Sequence, residues 1–215
     1  MAKLYFRYSA MNSGKTTALI QAAYNYEERG MRVLVMKPSI DTKGDQAVTS
    51  RLGASRNVDI LLEPQMSPRS MLDSHTATIK CVLIDEAQFL QSAQVDELFW
   101  FAVEQDIPVL AYGLRTDFQT AGFPGATRLL ELAHELQELK TICRCGKKAV
   151  LNGRKIDGSF IFEGDQVAID GKQNVEYESL CAKCYKKYQT YFNQTEICTE
   201  STWDFLTVFE KLPLA

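Results

Sequence analysis

Histidine is almost missing from this chain: two of 215 residues, His75 and His134, stand far apart in the sequence. A histidine-ligated metal centre or an imidazole base has little to draw on, so both read as packing residues. Basic charge is not in excess either, with 24 Lys and Arg against 27 Asp and Glu and a net charge of −3. That balance offers no electrostatic footprint for a nucleic-acid polymer. No apolar run approaches the ~20 residues needed to cross a bilayer, and no secretory leader precedes the first strand. Repeats and low-complexity tracts are also missing. The expected setting is the cytoplasm, with neither membrane nor polymer as partner. There the six cysteines point to metal rather than disulfides wherever their spacing pairs them.

What the chain does have is a phosphate loop. A β-rich run from Leu4 to Tyr8 leads into Ser9-Ala10-Met11-Asn12-Ser13-Gly14-Lys15-Thr16, and 17–29 reads as a helix that Gly30 ends. In a strand–loop–helix of this kind the backbone N–H groups from Ser9 to Thr17 face phosphates. Lys15 adds charge near the β and γ phosphates, and the Thr16 hydroxyl can bind Mg²⁺. Ser9 stands where the full pattern has glycine.

Strands alternate with helices beyond this point. Apolar runs at 33–36, 58–62, 81–84 and 107–114 read as strands, and 67–75, 92–105 (capped by Ser92) and 126–136 as helices. This predicts an α/β fold with a parallel sheet whose site lies at the carboxyl ends of the strands. Asp85 and Glu86 follow the buried strand 81–84 directly, where a phosphate-loop protein keeps its acidic Mg²⁺ partners. Residues 39–57, with Asp41 and Arg51, are polar and aperiodic, either a surface loop or a binding lid. Phe118 and Phe123 sit near a strand end, where they stack on a base or belong to the core.

The character changes at Lys140. Cys143-Arg144-Cys145 and Cys181-Ala182-Lys183-Cys184 make a two-plus-two thiolate set suited to a closed, structural Zn²⁺ site. Cys81 and Cys198 read as packing residues. The division expected is a P-loop ATP-binding domain over 1–139, a zinc-anchored lasso over 140–192, and a tail over 193–215 whose aromatic residues dock.

Ser-Gly-Lys-Thr at 13–16, Lys-Pro-Ser-Ile-Asp-Thr at 37–42, Asp-Glu-Ala-Gln-Phe at 85–89, Asp-Phe at 117–118, Phe-Pro-Gly at 123–125 and the four cysteines occur together in this order. The ordered set resembles the bacterial type II thymidine kinase family. The resemblance implies ATP-dependent phosphorylation of the thymidine 5′-hydroxyl, and that of deoxyuridine, by a homotetramer using Mg²⁺ and structural Zn²⁺. Glu86 would then take the hydroxyl proton, Asp85 and Gln88 would belong to the ATP site, and Asp41 would support Mg²⁺ beside Thr16 and Asp85. Phe118, Phe123, Tyr177, Gly171 and Arg51 would line the substrate site. Asn152 falls near a position that touches the base in relatives. Two readings compete: a P-loop kinase for another nucleoside, and a zinc-containing nucleic-acid-dependent ATPase, because Asp85-Glu86-Ala87-Gln88 looks like a helicase box.

Overall fold

The computed structural model describes residues 1–39, 47–166 and 174–199. In chain order it shows β1 (Leu4–Ser9), α1 (Lys15–Glu27), β2 (Arg32–Pro38), β3 (Ala47–Thr49), β4 (Ser55–Asn57), β5 (Ile60–Leu62), α2 (Pro68–Asp73) and β6 (Ile79–Ile84). A 3₁₀ turn (Ala87–Phe89), α3 (Ser92–Gln105), β7 (Val109–Leu114), α4 (Pro124–Leu132) and β8 (Glu135–Glu138) complete the first half of the architecture. Six strands form one parallel sheet in the order β5-β2-β6-β7-β1-β8.

The apolar runs are continuous because both faces of this sheet are covered. On β2 and β6, Val33, Val35, Cys81 and Leu83 pack with Leu19 and Ala23 of α1. Their neighbours Leu34, Met36, Val82 and Ile84 point the other way, into a core shared with Val95, Leu98 and Phe101 of α3 and Leu129 of α4. Cys81 is thus a packing residue, and burial pushes its thiol up to about 12. Gly30, with φ of 72°, turns the chain out of α1.

Three expectations about local structure need correction. The apolar spacing through Leu136 does not continue one helix: α4 ends at Leu132, Ala133 has ψ of 133°, and Leu136 lies on β8 beside Phe6. Pairing with an otherwise open edge of β1 overrides helical periodicity here. Gln91, not Ser92, caps α3, because Gln91 and Gln94 exchange side-chain-to-backbone hydrogen bonds. The segment 47–57 is a β3–β4 hairpin rather than irregular chain, and Arg56 ties it to Glu27 of α1 at 2.6 Å.

The remaining elements build a smaller unit. These are β9 (Thr141–Ile142), β10 (Lys148–Ala149), β11 (Leu151–Ile156), β12 (Ser159–Ile161), β13 (Val175–Leu180) and α5 (Ala182–Thr199). β9 and β10 form a hairpin, while β12, β11 and β13 make an antiparallel sheet. Its own core holds Cys143, Ala149, Phe162, Leu180, Cys181 and Tyr185. Among the described residues no helix is long and apolar enough to cross a membrane. The tail aromatics Trp203, Phe205 and Phe209, with Asp41 and Gly171, lie outside the described residues.

Candidate active site

β1 delivers Ser9 to the carboxyl edge of the sheet, and the loop from Ala10 to Gly14 turns the chain into α1. The turn needs unusual backbone: Asn12 has φ of 60° and Gly14, at the helix N-cap, φ of 79°. No side chain caps α1, which leaves its first N–H groups without a capping partner, as an anion-binding helix start requires. Lys15, Thr16 and Thr17 occupy that first turn. Lys15 is 8 % exposed and folds back over its own loop, donating to Ser9 Oγ at 3.3 Å and Ala10 O at 3.2 Å. Ser9 Oγ also meets Ser13 Oγ, so the serine in the glycine position is part of the lysine's seat. Burial lowers the Lys15 pKa against the pull of Glu86 and Asp85.

Beside this helix start, Asp85 follows β6 at 3 % exposure. Its Oδ2 accepts from the Thr16 hydroxyl at 3.2 Å and its Oδ1 from the Glu86 N–H at 3.1 Å. Burial, then the neighbouring Glu86 charge, pushes Asp85 up to about 7. A hydroxyl and a carboxylate in contact beside a phosphate loop suit a divalent cation, whose charge would relieve that penalty. Glu86 takes a left-handed turn with φ of 49° and remains partly exposed. Gln88 is fully buried beneath it, with its side-chain N–H on Glu86 Oε2 at 2.6 Å and its Oε1 accepting from Leu114 N at 2.9 Å.

The predicted substrate residues are spread more widely. Phe118 is 1 % and Phe123 4 % exposed, so both are wall rather than open surface. Phe123 meets Phe89 edge-on at 5.4 Å, and Phe118 lies under the Arg154 guanidinium at 3.7 Å. Asp117 holds their loop in shape, accepting from the Gln119 and Ala121 N–H groups at 2.8 Å. Tyr177 on β13 joins this wall through its hydroxyl, which accepts from Arg154 Nε at 3.0 Å. Arg51 stands exposed at the β3–β4 turn, and its charge contributes to the lowered pKa of Lys15.

Arg154 and Ser179 carry no signal in the sequence, whereas Asn152 falls near a position that touches the base in relatives; all three are buried polar groups facing this region. A lone cation in a Gly-rich stretch gives little warning, because its importance comes from a strand register that sequence periodicity does not set. Gly153 between them has a clear cause: a Cβ there would lie 2.6 Å from Phe160 Cε1.

The four cysteines converge as their spacing predicted. Their sulfurs lie within 4.8 Å of one another, with Cys145 and Cys181 3.6 Å apart. Four sulfurs bound at about 2.3 Å around one tetrahedral zinc stand about 3.8 Å from each other, so the set fits. Gly146, with φ of 80°, makes the turn that brings Cys143 and Cys145 together. A hydrogen bond from the Lys147 amide, helped by nearby thiols, draws Cys145 down to about 7.

A family model described as thymidine kinase matches residues 2–185. The chain belongs to the thymidine kinase family. It is 47% identical over 191 residues to "Thymidine kinase" of Shewanella oneidensis, covering 87% of this chain and 98% of the relative. It is 47% identical over 199 residues to the Legionella pneumophila (strain Paris) protein of the same name, covering 87% and 90%. The Rhodopirellula baltica relative, again named thymidine kinase, is 46% identical over 190 residues, covering 87% and 89%.

Proposed function

We propose that the protein transfers the γ-phosphate of ATP to the 5′-hydroxyl of thymidine. The observation that carries this reading is the convergence of Lys15, Thr16, Asp85 and Glu86 at the end of β1 and β6 in a chain of this family. Phosphoryl transfer asks a protein mainly for positioning and charge stabilisation. The loop amides from Ser9 to Thr17, apart from that of Met11, which is donated to Asn152, and the Lys15 ammonium hold the phosphates, with Lys15 moving from its seat on Ser9 and Ala10. Thr16 and Asp85, in contact at 3.2 Å, would hold Mg²⁺, which would neutralise charge on the phosphates; Asp41 is a further candidate. Glu86, steadied by Gln88, orients the sugar hydroxyl and accepts its proton late in the transfer.

Phe118, Phe123 and Tyr177 form the apolar wall for the base, Gly171 belongs to the segment that reads its polar edge, and Arg51 assists at the phosphates. Structural Zn²⁺ on Cys143, Cys145, Cys181 and Cys184 anchors the lasso over 140–192. Four thiolates leave no open position for chemistry. On family resemblance the assembly is a homotetramer, and its place is the cytoplasm.

A nucleoside panel with ATP and Mg²⁺, scored for monophosphate, tests the reading. Thymidine and deoxyuridine share one carbonyl and N3–H pattern. Deoxycytidine reverses a hydrogen bond and should be worse by roughly 10³-fold in specificity. Equal use of thymidine and deoxycytidine would favour a broader nucleoside kinase. ATP hydrolysis stimulated by DNA, without nucleoside product, would favour the nucleic-acid-dependent ATPase.

A further inference from the structure

The phosphate loop is gripped by the small sheet, and the grip centres on one residue. Asn152 of β11 and Ser179 of β13 are direct cross-strand partners, so their side chains leave the same face. Asn152 Oδ1 accepts the Met11 N–H at 2.7 Å, and the Ser179 hydroxyl donates to the Met11 carbonyl. Both polar groups of Met11 are therefore held from one sheet face. The Asn152 side-chain N–H is also engaged, donating to Thr116 O at 2.8 Å just beyond β7. Beside Met11, Asn12 donates to the Tyr177 carbonyl at 3.2 Å. Asn152 is 2 % and Ser179 6 % exposed. Buried groups of this kind are costly to leave unpaired, which makes the grip stiff.

Two residues along, the next same-face pair is Arg154 and Tyr177. This pair carries the wall against Phe118. One rigid face thus joins the phosphate loop to the nucleoside pocket assigned above. Anything that shifts β11 and β13 as the nucleoside settles must shift the Met11 peptide units and the loop N–H groups beyond them.

We propose that Asn152 and Ser179 are positioning residues that couple nucleoside binding to the geometry of the phosphate loop. The proposal rests on the kinase reading above. Coupling of binding free energies is reciprocal, so thymidine should tighten ATP and ATP should tighten thymidine by the same factor.

The test is calorimetric titration of a non-hydrolysable ATP analogue with Mg²⁺ into the full chain, with and without thymidine. In the natural sequence thymidine should tighten the analogue by about fivefold or more. In Asn152→Ala and Ser179→Ala, affinity for the analogue alone should stay within a few-fold while the thymidine effect falls towards none. The double variant should lose little more, because both groups hold one residue. A thymidine effect unchanged in both single variants, even with lowered thermal stability, overturns the proposal. Ser179→Ala removes only a hydroxyl and keeps the test decisive if Asn152→Ala does not fold. Natural protein that phosphorylates thymidine without coupling also overturns it. Natural protein that binds the analogue but neither binds nor phosphorylates thymidine instead overturns the kinase reading, and this proposal falls with it.

Discussion

Gln88 holds Glu86 from below: its side-chain N–H meets Glu86 Oε2 at 2.6 Å while its Oε1 is fixed by the Leu114 amide. The carboxylate is therefore anchored to β7 through a neutral relay, and Glu86 remains partly exposed. Glu86→Gln keeps the shape of this arrangement and removes the base. Turnover should fall by ~10² or more while binding of ATP changes little. Steady-state kinetics and nucleotide titration check this together, and near-normal turnover would remove Glu86 from the role.

Asp85 should make the metal-free protein less stable as pH rises. Its folded-state pKa is pushed from 3.8 to about 7 by burial and by Glu86. Between those values the folded chain keeps a proton that the unfolded chain has lost. The favourable contribution is thus complete below about pH 4 and gone above about pH 7. Asp85→Asn has no such dependence, so its stability relative to the natural protein should climb from pH 5 to pH 8. Urea unfolding across that range measures the difference, and parallel profiles would contradict the assignment.

The thiolate set should hold one zinc per chain by elemental analysis. Removing it with a chelator, or replacing Cys181 with Ser, should lower the thermal midpoint and loosen β9, β10 and the start of α5. Hydrogen exchange reports the loosening residue by residue. Metal-free protein with full stability and activity would refute a structural zinc.

Gly125 should tolerate no side chain. A Cβ there would stand 2.6 Å from the carbonyl oxygens of both Ala87 and Leu90. Gly125→Ala must push α4 off the turn that carries Glu86, costing about 1–3 kcal/mol of stability. Denaturant midpoints give the cost, and kcat should fall more than nucleotide affinity.

The legible parts of the sequence were those where local pattern and tertiary environment agree. The strand, loop and helix from Leu4 to Glu27 carry their own turn chemistry, and the runs at 33–36 and 81–84 are apolar on both faces because both faces are buried. β8 was hidden because Leu129, Leu132 and Leu136 satisfy helical spacing, whereas its strand state comes from pairing with β1. Tyr177 and Asn152 were each named from the sequence, but the shared face they form with Arg154 and Ser179 was hidden for another reason. Its residues come from two segments, and only the antiparallel register places them side by side. Phe118 and Phe123 were recognised as near the site, but their burial depends on Arg154 and Phe89, which nothing nearby in the sequence announces.

The topology sets the order in which the protein can be finished. β1 is made first, yet its neighbours in the sheet are β7 and β8, and the bonds to Met11 come from residues 141 and 168 positions downstream. A ribosome therefore releases the phosphate loop long before anything exists to shape it, leaving both edges of β1 unpaired in the nascent chain. Pairings between such distant segments are slow to form. In a refolding time course, helical signal from α1 should return early and the tightening of an ATP analogue by thymidine last, limited by the arrival of β11 and β13.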